Sequence, residues 1–374
     1  MPGIMKMLST IKRNTVSKSY VKKWKNVVID ILVILLLPVP ILLMTCTRKD
    51  EIPNEKKLSE QPCPQSAMLS SNPVDNRNKV GSYPLGDSYI YLSKLGLQDF
   101  DRVSSFLGDP VVITATSSNH FSYAVDLVER LKSNMKPKLK IVVYDIGMAE
   151  YQKQKICKDG GCEVRKFPFA EFPTFLEEKM QIIAWKPVLI QLALQKFGFV
   201  IWMDSAVYLP DGNLQAGIDI ARTHGIAAGH KRVTYPDINL AFETDNTTFE
   251  TLGEKPCTFQ NSFKFNAALL FIRKSSIIYK YVMRPWVSCA LTKRCIAADR
   301  EPSSKCVNAD KFGYCHRFDQ SVLSVILNRL FHTKLTEIDL GNNVTWTKCY
   351  RRDSVGVFNE MVFTENKIDG IQCP

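Results

Sequence analysis

The sequence contains only one apolar run long enough to cross a membrane, and it lacks internal repeats, a GxSxG nucleophile elbow and a GxxxxGK[ST] phosphate loop. The missing motifs remove support for an α/β-hydrolase and for a P-loop nucleotidase. Of the 374 residues, 45% are hydrophobic and 23% charged, which excludes a disordered, collagen-like or coiled-coil chain over most of the length. A globular protein of one large or two small domains remains.

Acidic residues are absent from residues 1–26, which carry seven lysines and arginines. Because the formal net charge is +12, the other 348 residues carry only +5. A body this mildly basic gives no support for nucleic-acid binding. The basic segment instead favours a cytosolic amino terminus, since positive residues stay on the cytosolic side of a membrane helix.

The single long apolar run, residues 27–46, has Asp30 as its one charged residue and matches the length of a bilayer-spanning helix. We expect a transmembrane signal-anchor here, with a cytoplasmic tail at 1–26 and a lumenal or extracellular chain from residue 47. A cleaved signal peptide is the alternative. Against it stand the long basic region before the run and a poor small-residue cleavage site around Cys46.

Glycosylation sequons and cysteine placement also favour a lumenal location. Asn246 and Asn343 each begin an Asn-X-Thr sequon, and ten of the eleven cysteines follow the apolar run. In an oxidising lumen these ten can form disulfides, and Cys157 and Cys162 can close a small loop. The alternative is a zinc site, although no CxxC-type ligand pair occurs among its candidate ligands Cys289, Cys295, Cys306, Cys315 and His316.

Composition changes twice after the apolar run. Residues 47–108 predict a stem, because their first part is polar and rich in Pro, Ser, Asn and Lys. Within it, apolar residues at helical spacing over Tyr89–Leu107 predict an amphipathic helix docked on the next domain. Over 109–374, short apolar runs alternate with amphipathic segments, which is typical of an α/β domain with a mainly parallel sheet flanked by helices.

The same alternation predicts individual elements. Trp185–Phe197 is the clearest helix, because Pro187 is tolerated in a first turn and Gly198 follows as a C-cap. We also expect helices around 123–131 and 321–327, and strands at 111–115, 140–145, 162–167, 199–203 and 265–272. Ligands of open α/β sheets bind outside the carboxyl ends of the strands, so one edge is expected to carry Ser117, Asp145 and Asp204.

Polar residues at the ends of these elements are candidates for a site. Asp204 follows a buried strand directly, which would aim its carboxylate at a metal or a sugar hydroxyl; a solvated aspartate capping the next turn is the alternative. Asn266 opens a strand whose small residues allow a close approach. Asp319 and Gln320 begin a helix, where an aspartate can also serve only as an N-cap.

The order of the segments is informative. A first strand ending in polar residues is followed by Trp185-Lys186-Pro187, Trp202-Met203-Asp204-Ser205, Phe265-Asn266-Ala267-Ala268 and Phe318-Asp319-Gln320-Ser321. This order resembles that of a GT-A nucleotide-sugar glycosyltransferase. More narrowly, it is similar to a metazoan family of type II membrane proteins classed as a domain of unknown function, over roughly residues 109–331. A fainter likeness to glycosyltransferase family 8 rests on the Phe-Asn-Ala and Asp-Gln segments.

The resemblance implies a role for each motif residue. Asp319 and Gln320 would be catalytic, with Asp319 as general base in an inverting reaction or both orienting donor hydroxyls in a retaining one. Trp185 and Trp202 would stack on a sugar or base ring, or belong to the core. Donor binding is implied for Ser117, Asp145, Lys186, Asp204, Ser205, Asn266 and Arg317.

The resemblance also implies a divalent cation, Mn²⁺ or Mg²⁺, held by Asp204 as the first acid of an Asp-X-Asp motif. Here Ala206 replaces the second acid, which leaves few hard oxygen ligands. Either water and the donor diphosphate complete the metal's ligands, or basic side chains replace the metal, with Lys186, His316 and Arg317 as candidates. The alternatives are a solvated lysine for Lys186 and a histidine held beside a disulfide for His316.

Taken together, these features predict a single-pass type II glycosyltransferase of the Golgi or another secretory membrane. It would transfer sugar from a nucleotide sugar to a glycan or glycoprotein acceptor. One alternative, favoured by Ala206, is a catalytically silent GT-A-like protein that binds glycans or a protein partner. Another is a hydrolase using two carboxylates among Asp145, Asp204 and Asp319, but no hydrolase motif is present.

Overall fold

The computed structural model describes residues 63–84, 86–230, 240–262, 264–298, 312–313, 315–341 and 343–348. The predicted cytoplasmic tail and the predicted membrane segment at 27–46 lie outside the described residues. Within the described ranges, no helix combines the length and the apolar character needed to cross a bilayer.

The central element is a six-stranded mixed sheet with the order β3-β2-β1-β4-β7-β6, and a separate two-stranded sheet joins β5 to β8. Strands β3, β2, β1 and β4 are parallel, whereas β7 runs antiparallel to both β4 and β6. The strands are β1 (Val111–Thr116), β2 (Ile141–Asp145), β3 (Glu163–Lys166), β4 (Phe199–Met203), β5 (Val207–Tyr208), β6 (Ile226–His230), β7 (Phe265–Arg273) and β8 (Thr347–Lys348).

Helices cover both faces of the large sheet. The first half of the chain contributes α1 (Pro73–Gly81), α2 (Tyr89–Lys94), α3 (Phe121–Asn134), α4 (Glu150–Ile156), α5 (Phe175–Glu178) and α6 (Trp185–Phe197). The second half contributes α7 (Gln215–His224), α8 (Asn246–Thr251), α9 (Ser276–Ile278), α10 (Arg284–Ala290), α11 (Lys293–Ala297) and α12 (Asp319–Phe331). A π-helical segment, Tyr279–Met283, connects α9 to α10.

Alternation along the strands divides the core into two layers. In β1, Ile113 faces the layer that contains α6 and α12, while Val112 faces the layer that contains α3 and α7. Both residues are fully buried because helices cover both faces, and β1, β2 and β4 are accordingly buried along their whole length. The predicted class, an α/β domain with a mainly parallel sheet flanked by helices, is confirmed.

Most predicted elements are present, and the exceptions have local causes. The helix Trp185–Phe197 and the strand Phe199–Met203 have the predicted bounds, and Gly198 ends the helix with φ +74°. The helix predicted over Tyr89–Leu107 ends instead at Lys94, because Gly96 adopts φ +65° and turns the chain. The antiparallel edge strand β6 was not predicted.

The segment predicted as a stem, 47–108, is packed on the folded body from Cys63 onward. Cys63 forms a disulfide with Cys257, and the apolar side chains of this segment join the core, namely Val80, Tyr83, Leu92, Leu95 and Leu97. The folded body therefore begins at or before Cys63 instead of near residue 109. The packing of Leu92, Leu95 and Leu97 agrees with the docking predicted for Tyr89–Leu107, whereas the packing of residues 63–84 was missed because they supply only scattered apolar side chains.

Three buried side chains hold this segment in place, and we call Tyr83, Glu254 and Arg329 the anchor cluster. Arg329 Nε donates to Glu254 Oε1 at 2.9 Å, and the Tyr83 hydroxyl donates to the same oxygen at 2.6 Å. The Arg329 guanidinium also donates to the carbonyl oxygens of Ala67 and Met68, at 3.2 and 3.0 Å. A charged residue of α12 thus fixes the backbone of residues 67–68.

Disulfides decide between the two interpretations of the cysteines. Cys157 and Cys162 are bonded, as predicted. Cys289 is bonded to Cys295, so these two cannot serve as the zinc thiolates of the alternative interpretation. Among the described residues, no group of three or more His, Cys, Asp or Glu side chains is arranged to hold a metal ion.

Candidate active site

Asp204 lies at the carboxyl end of β4, and the neighbouring strand completes its surroundings. Because β7 is antiparallel to β4, the start of β7 meets the end of β4. The Asp204 backbone N–H donates to the carbonyl of Ala268 at 2.8 Å, and the Trp202 indole donates to Asp204 Oδ1 at 2.9 Å. Backbone and side chain of Asp204 are therefore both held in place, with a quarter of the side chain exposed.

Lys186 points from the first turn of α6 to this carboxylate. Its Nζ lies 3.0 Å from Asp204 Oδ1 and 3.1 Å from Asp319 Oδ2, and it donates to the carbonyl of Ala267 at 3.2 Å. An ammonium has three N–H donors, and these three acceptors match that number. With a side chain only 5% exposed, Lys186 is not the solvated lysine that the sequence allowed.

Asp319 begins α12 and reaches the same point from the other side of the core. Its side chain is 3% exposed, and its backbone carbonyl accepts from the indole of Trp286 at 2.9 Å. Asp319 Oδ2 has no hydrogen bond of good geometry among the described residues, so its contact with Lys186 is an ion pair only. An N-cap role does not account for a carboxylate paired with Lys186.

Lys348 is a fourth charged residue here, and sequence reasoning did not identify it. Its Nζ lies 3.1 Å from Asp204 Oδ2, and its side chain is 16% exposed. Strand pairing places Lys348 beside Asp204, because β5 begins three residues after Asp204 and pairs with β8 so that Val207 is opposite Lys348. We call Lys186, Asp204, Asp319 and Lys348 the rim cluster, after their place at the carboxyl edge of the parallel strands.

Charge pairing shifts the pKa values of this cluster in different directions. Burial by itself lowers a lysine pKa, but Asp204 and Asp319 raise the pKa of Lys186 above its usual value. Burial would raise the pKa of Asp204, yet Lys186 and Lys348 lower it well below its usual range. For Asp319, burial and the negative charge of Asp204 raise the carboxyl pKa despite Lys186.

Backbone strain occurs next to two members of the cluster. Among the described residues, the non-glycine residues with positive φ are Ile183, Ala298 and Phe318. Ile183 (φ 55°) lies three residues before Lys186, and Phe318 (φ 49°) directly precedes Asp319. A bulky or β-branched residue with positive φ is costly, and such residues tend to occur at functional sites.

Two tryptophans pack beside the rim cluster. Trp185 and Trp202 meet edge to face with ring centroids 6.2 Å apart, and Lys186 Nζ lies 5.4 Å from the Trp202 ring. Trp202 is fully buried and Trp185 is 8% exposed, so both belong to the core. Of the two interpretations that the sequence left open for these rings, the structure favours packing.

Ser117 and Asp145 follow the carboxyl ends of β1 and β2, on the predicted edge, but their side chains serve the local loops. Asp145 Oδ1 accepts from the backbone N–H groups of Gly147 and Met148, at 2.8 and 2.7 Å. The Ser117 hydroxyl donates to Asn119. His120 lies in the same loop. Burial lowers the pKa of the His120 imidazole, and the negative charge of Asp204 opposes that shift.

The remaining predicted residues lie in or beside the cluster. Ser205 follows Asp204 in a half-buried turn. Asn266 is buried, and its side-chain oxygen accepts from the Ala268 N–H at 2.9 Å. Gln320 is buried beside Asp319, and its Nε2 has no hydrogen-bond partner among the described residues. Arg317 lies just before α12, where its backbone N–H donates to Ser321.

His316 is not part of the cluster. Its ring is fully buried, where Nδ1 accepts from the Asp245 backbone N–H at 3.3 Å and Nε2 lies 2.9 Å from the Ile296 carbonyl. These contacts join the N-cap residue of α8 to α11, and the histidine does not supply the cation that the sequence suggested. Asn246 and Asn343, the predicted glycosylation acceptors, are both exposed.

The side chains of the rim cluster do not fit a divalent cation. Mn²⁺ and Mg²⁺ require several oxygen ligands. Both carboxylate oxygens of Asp204 face ammonium groups, and Ala206 provides no oxygen where a second acid would stand. The Asp319 carboxylate is separated from Asp204 by the Lys186 ammonium, which contacts both.

Comparison with known proteins gives one family match. The model of a family described as a protein of unknown function, DUF1647, matches residues 93–191, or 99 of the 374 residues. The matched region contains β1 to β3 and Lys186, but not Asp204, Asp319 or Lys348. No curated protein matches this chain.

Several solved structures are similar to this one, and they are glycosyltransferases by name. Galactosyltransferase LgtC, with donor and acceptor sugar analogs, has 16% identity over 59% of this chain and 70% of that chain, with a TM-score of 0.33. Mouse xyloside xylosyltransferase 1 has 11% identity over 62% and 84%, with a TM-score of 0.38. Core-mannan synthase A of Aspergillus fumigatus, with Mn and GDP, has 9% identity over 67% and 77%, with a TM-score of 0.39. TM-scores below 0.5 do not establish a shared fold, so function rests on the site.

Proposed function

We propose that this protein is a glycosyltransferase-like enzyme that transfers a sugar from a nucleotide sugar to a glycan or glycoprotein acceptor. The observation that carries the proposal is the meeting of Lys186, Asp204 and Asp319, from three separate segments, at the carboxyl edge of the parallel strands. Ligands of open α/β sheets bind at this edge. The motifs at these positions are those by which the sequence resembles GT-A glycosyltransferases and, more narrowly, the metazoan type II family.

The charges of the rim cluster suit the chemistry of sugar transfer. When the bond between the anomeric carbon and the diphosphate breaks, negative charge develops on the leaving group, and a fixed cation stabilises it. Lys348 and Lys186 carry such charge. The new bond forms between the anomeric carbon and an acceptor hydroxyl oxygen, whose proton must be accepted by a base.

Asp319 has one of two roles in this reaction. As general base it would take the acceptor proton in an inverting reaction, a role helped by its raised pKa. With Gln320, whose buried Nε2 lacks a partner among the described residues, it would instead orient donor hydroxyls in a retaining one. The anomeric configuration of the product, measured by NMR, distinguishes the two.

We further propose that the chain is a single-pass type II protein of the Golgi or another secretory membrane, anchored by residues 27–46. Its lumenal part would begin with a stem over 47–62 and continue into the body that starts at or before Cys63. Disulfides within that body and exposed sequon asparagines at 246 and 343 support a lumenal location. Loss of apparent mass on glycosidase treatment, abolished in Asn246→Gln/Asn343→Gln, would test it.

A catalytically silent binding protein is the second candidate. It is favoured by Ala206 and by the pairing of both Asp204 oxygens with lysines, because the carboxylate is then already paired when no ligand is bound. The two candidates differ in turnover. With the full chain in detergent and a panel of nucleotide sugars, the enzyme releases nucleoside diphosphate, faster with an acceptor present, whereas a silent protein releases none.

A variant sharpens this test. We expect Asp319→Asn to abolish release while binding of the nucleotide is kept, because Asp319 acts on hydroxyl groups and not on the diphosphate. Release that is unchanged in Asp319→Asn would contradict the assigned role. Folded protein that neither binds nor turns over any member of the panel would exclude the enzyme and favour the silent protein, which binds glycans or a protein partner.

A further inference from the structure

The rim cluster already balances its own charge. With Asp204 and Asp319 ionised and both lysines protonated, two negative charges face two positive charges. GT-A glycosyltransferases with an Asp-X-Asp motif are expected to balance two carboxylates with one divalent cation. Here Lys186 and Lys348 supply the same total positive charge from the protein itself.

The two lysine ammonium groups lie next to the carboxylates that would otherwise bind a metal. Lys186 Nζ lies between Asp204 Oδ1 and Asp319 Oδ2, at 3.0 and 3.1 Å. Lys348 Nζ lies 3.1 Å from the other Asp204 oxygen. A divalent cation at Asp204 would have to displace an ammonium, and it would then raise the local charge. A site that does not bind a metal does not need a second acid, and Ala206 stands at that position.

The two lysines differ in what they can reach. The Lys186 ammonium lies among three acceptor oxygens and its side chain is only 5% exposed, so a ligand has little access to it. Lys348 is 16% exposed and lies beside the half-buried turn at Asp204 and Ser205. Of the two lysines, Lys348 is therefore the more accessible to an anion.

Lys348 is also held in position for such a role. Its backbone pairs with Val207, just beyond Asp204, and Trp346 packs in a buried position against Gly229, where the absence of a Cβ leaves room for the indole. A lysine fixed by a strand pair and a carboxylate loses little side-chain entropy when it binds a phosphate.

On the basis of the proposed function, we propose that donor binding by this protein is independent of divalent metal, because Lys348 contacts the diphosphate of the nucleotide sugar and Lys186 is the internal counter-charge that holds Asp204 and Asp319. Asp204 is then a positioning residue for Lys348 and not a metal ligand. The ligand class is a nucleoside diphosphate, free or as a sugar ester.

The test measures binding without turnover. The full chain in detergent is titrated with uridine, guanosine and adenosine diphosphates, and with the matching nucleosides, by calorimetry. Each titration is run with chelator, with Mn²⁺ and with Mg²⁺. We expect one diphosphate to bind with the same affinity in all three conditions, and at least about tenfold more tightly than its nucleoside, the factor for one hydrogen bond to a charged group.

Lys348→Met is the decisive variant, because a partly exposed lysine can be replaced with little risk to folding. We expect it to abolish the preference for diphosphate over nucleoside. Lys140→Met is the matched control: Lys140 also pairs with a carboxylate, Glu163 at 2.7 Å, but it lies just before β2, at the opposite edge of the sheet. The control should keep the full preference.

The outcomes separate the inference from the proposed function. Binding that requires Mn²⁺ or Mg²⁺, or a diphosphate preference that survives in Lys348→Met, would overturn the inference and leave the proposed function standing. If folded protein binds no nucleotide under any condition, the proposed function fails and the inference falls with it.

Discussion

The anchor cluster and the rim cluster are built from similar groups, a carboxylate and basic side chains in the interior, yet their charges are paired differently. In the anchor cluster, the Arg329 and Glu254 side chains are 5% and 2% exposed, and two nitrogens of the guanidinium contact the two oxygens of the carboxylate. The guanidinium also donates hydrogen bonds to the backbone carbonyls of Met68 and Ala67. These contacts engage four of the five guanidinium N–H donors and both carboxylate oxygens, and the side chains are nearly inaccessible to a ligand.

The rim cluster is arranged differently in three respects. Asp204 is a quarter exposed, Asp319 Oδ2 lacks a good hydrogen bond among the described residues, and strained residues precede both Lys186 and Asp319. A fold that only needed stability would not keep strain beside incompletely paired charges. The difference indicates that the anchor cluster maintains the structure and that the rim cluster is kept for binding and chemistry.

The largest effect should come from the disulfide next to the anchor cluster. Cys63 and Cys257 are 194 residues apart, and loop-closure entropy gives about 5 kcal/mol for a loop of that length. We expect Cys63→Ala/Cys257→Ala to lower the free energy of unfolding by that order, measured by urea denaturation. Cys157→Ala/Cys162→Ala is the control, because its short loop gives only about 2 kcal/mol. Equal losses in both variants would contradict this account.

Breaking the anchor cluster should be the next largest effect. Glu254→Gln leaves Arg329 buried without a full counter-charge, which costs about 3–5 kcal/mol for a buried pair. Glu250→Gln is the matched control, since Glu250 pairs with Arg294 on the surface at 3.8 Å, and such pairs contribute about 0–1 kcal/mol. A similar melting temperature for the two variants would show that the anchor cluster has no structural role.

In the rim cluster, the two aspartates should differ in their effect on stability. Asp204→Asn removes the charge that faces both lysines, and we expect a loss of about 2 kcal/mol, below the range for a fully buried pair because Asp204 is partly exposed. Asp319→Asn should cost less than about 1 kcal/mol, because burial already disfavours its charged form. Urea denaturation of the two variants at neutral pH measures the difference, and the reverse order would contradict it.

The change with pH in the stability loss of Asp204→Asn and Asp319→Asn should be the smallest effect, and it is the most specific test of the pairing. The folded pKa of Asp204 is lowered, so its stabilisation is present above the ordinary aspartate pKa of about 4 and is lost as the pH falls through the folded value. The folded pKa of Asp319 is raised, so its contribution is present at acid pH and is lost as the pH rises.

The measurement is denaturation of wild type and both variants across acid to neutral pH. From acid to neutral pH, the destabilisation should grow in Asp204→Asn and shrink in Asp319→Asn. Parallel pH profiles for the two variants would show that the pairing of the rim cluster is not the one described here.

Much of the fold could be predicted from the sequence, because local patterns specify it. Buried parallel strands such as Phe199–Met203 must be apolar throughout, and a helix ended by Gly198 has a definite stop signal. The sequence also identified Lys186, Asp204 and Asp319 as separate candidates. It did not identify Lys348 or the packing of residues 63–84, since a two-residue strand and scattered apolar side chains leave no periodic signal.

By itself, the sequence determined the α/β pattern, the positions of the acids and the loss of the second acid at Ala206. Only the tertiary structure decided that Lys186 lies between the Asp204 and Asp319 carboxylates and that Lys348 contacts the other Asp204 oxygen, Oδ2. The physical reason is that charge pairing depends on distances of a few ångströms between residues that are 18, 133 and 144 positions apart in the sequence. The antiparallel β7 and the pairing of β5 with β8 set those distances, and no local pattern encodes them.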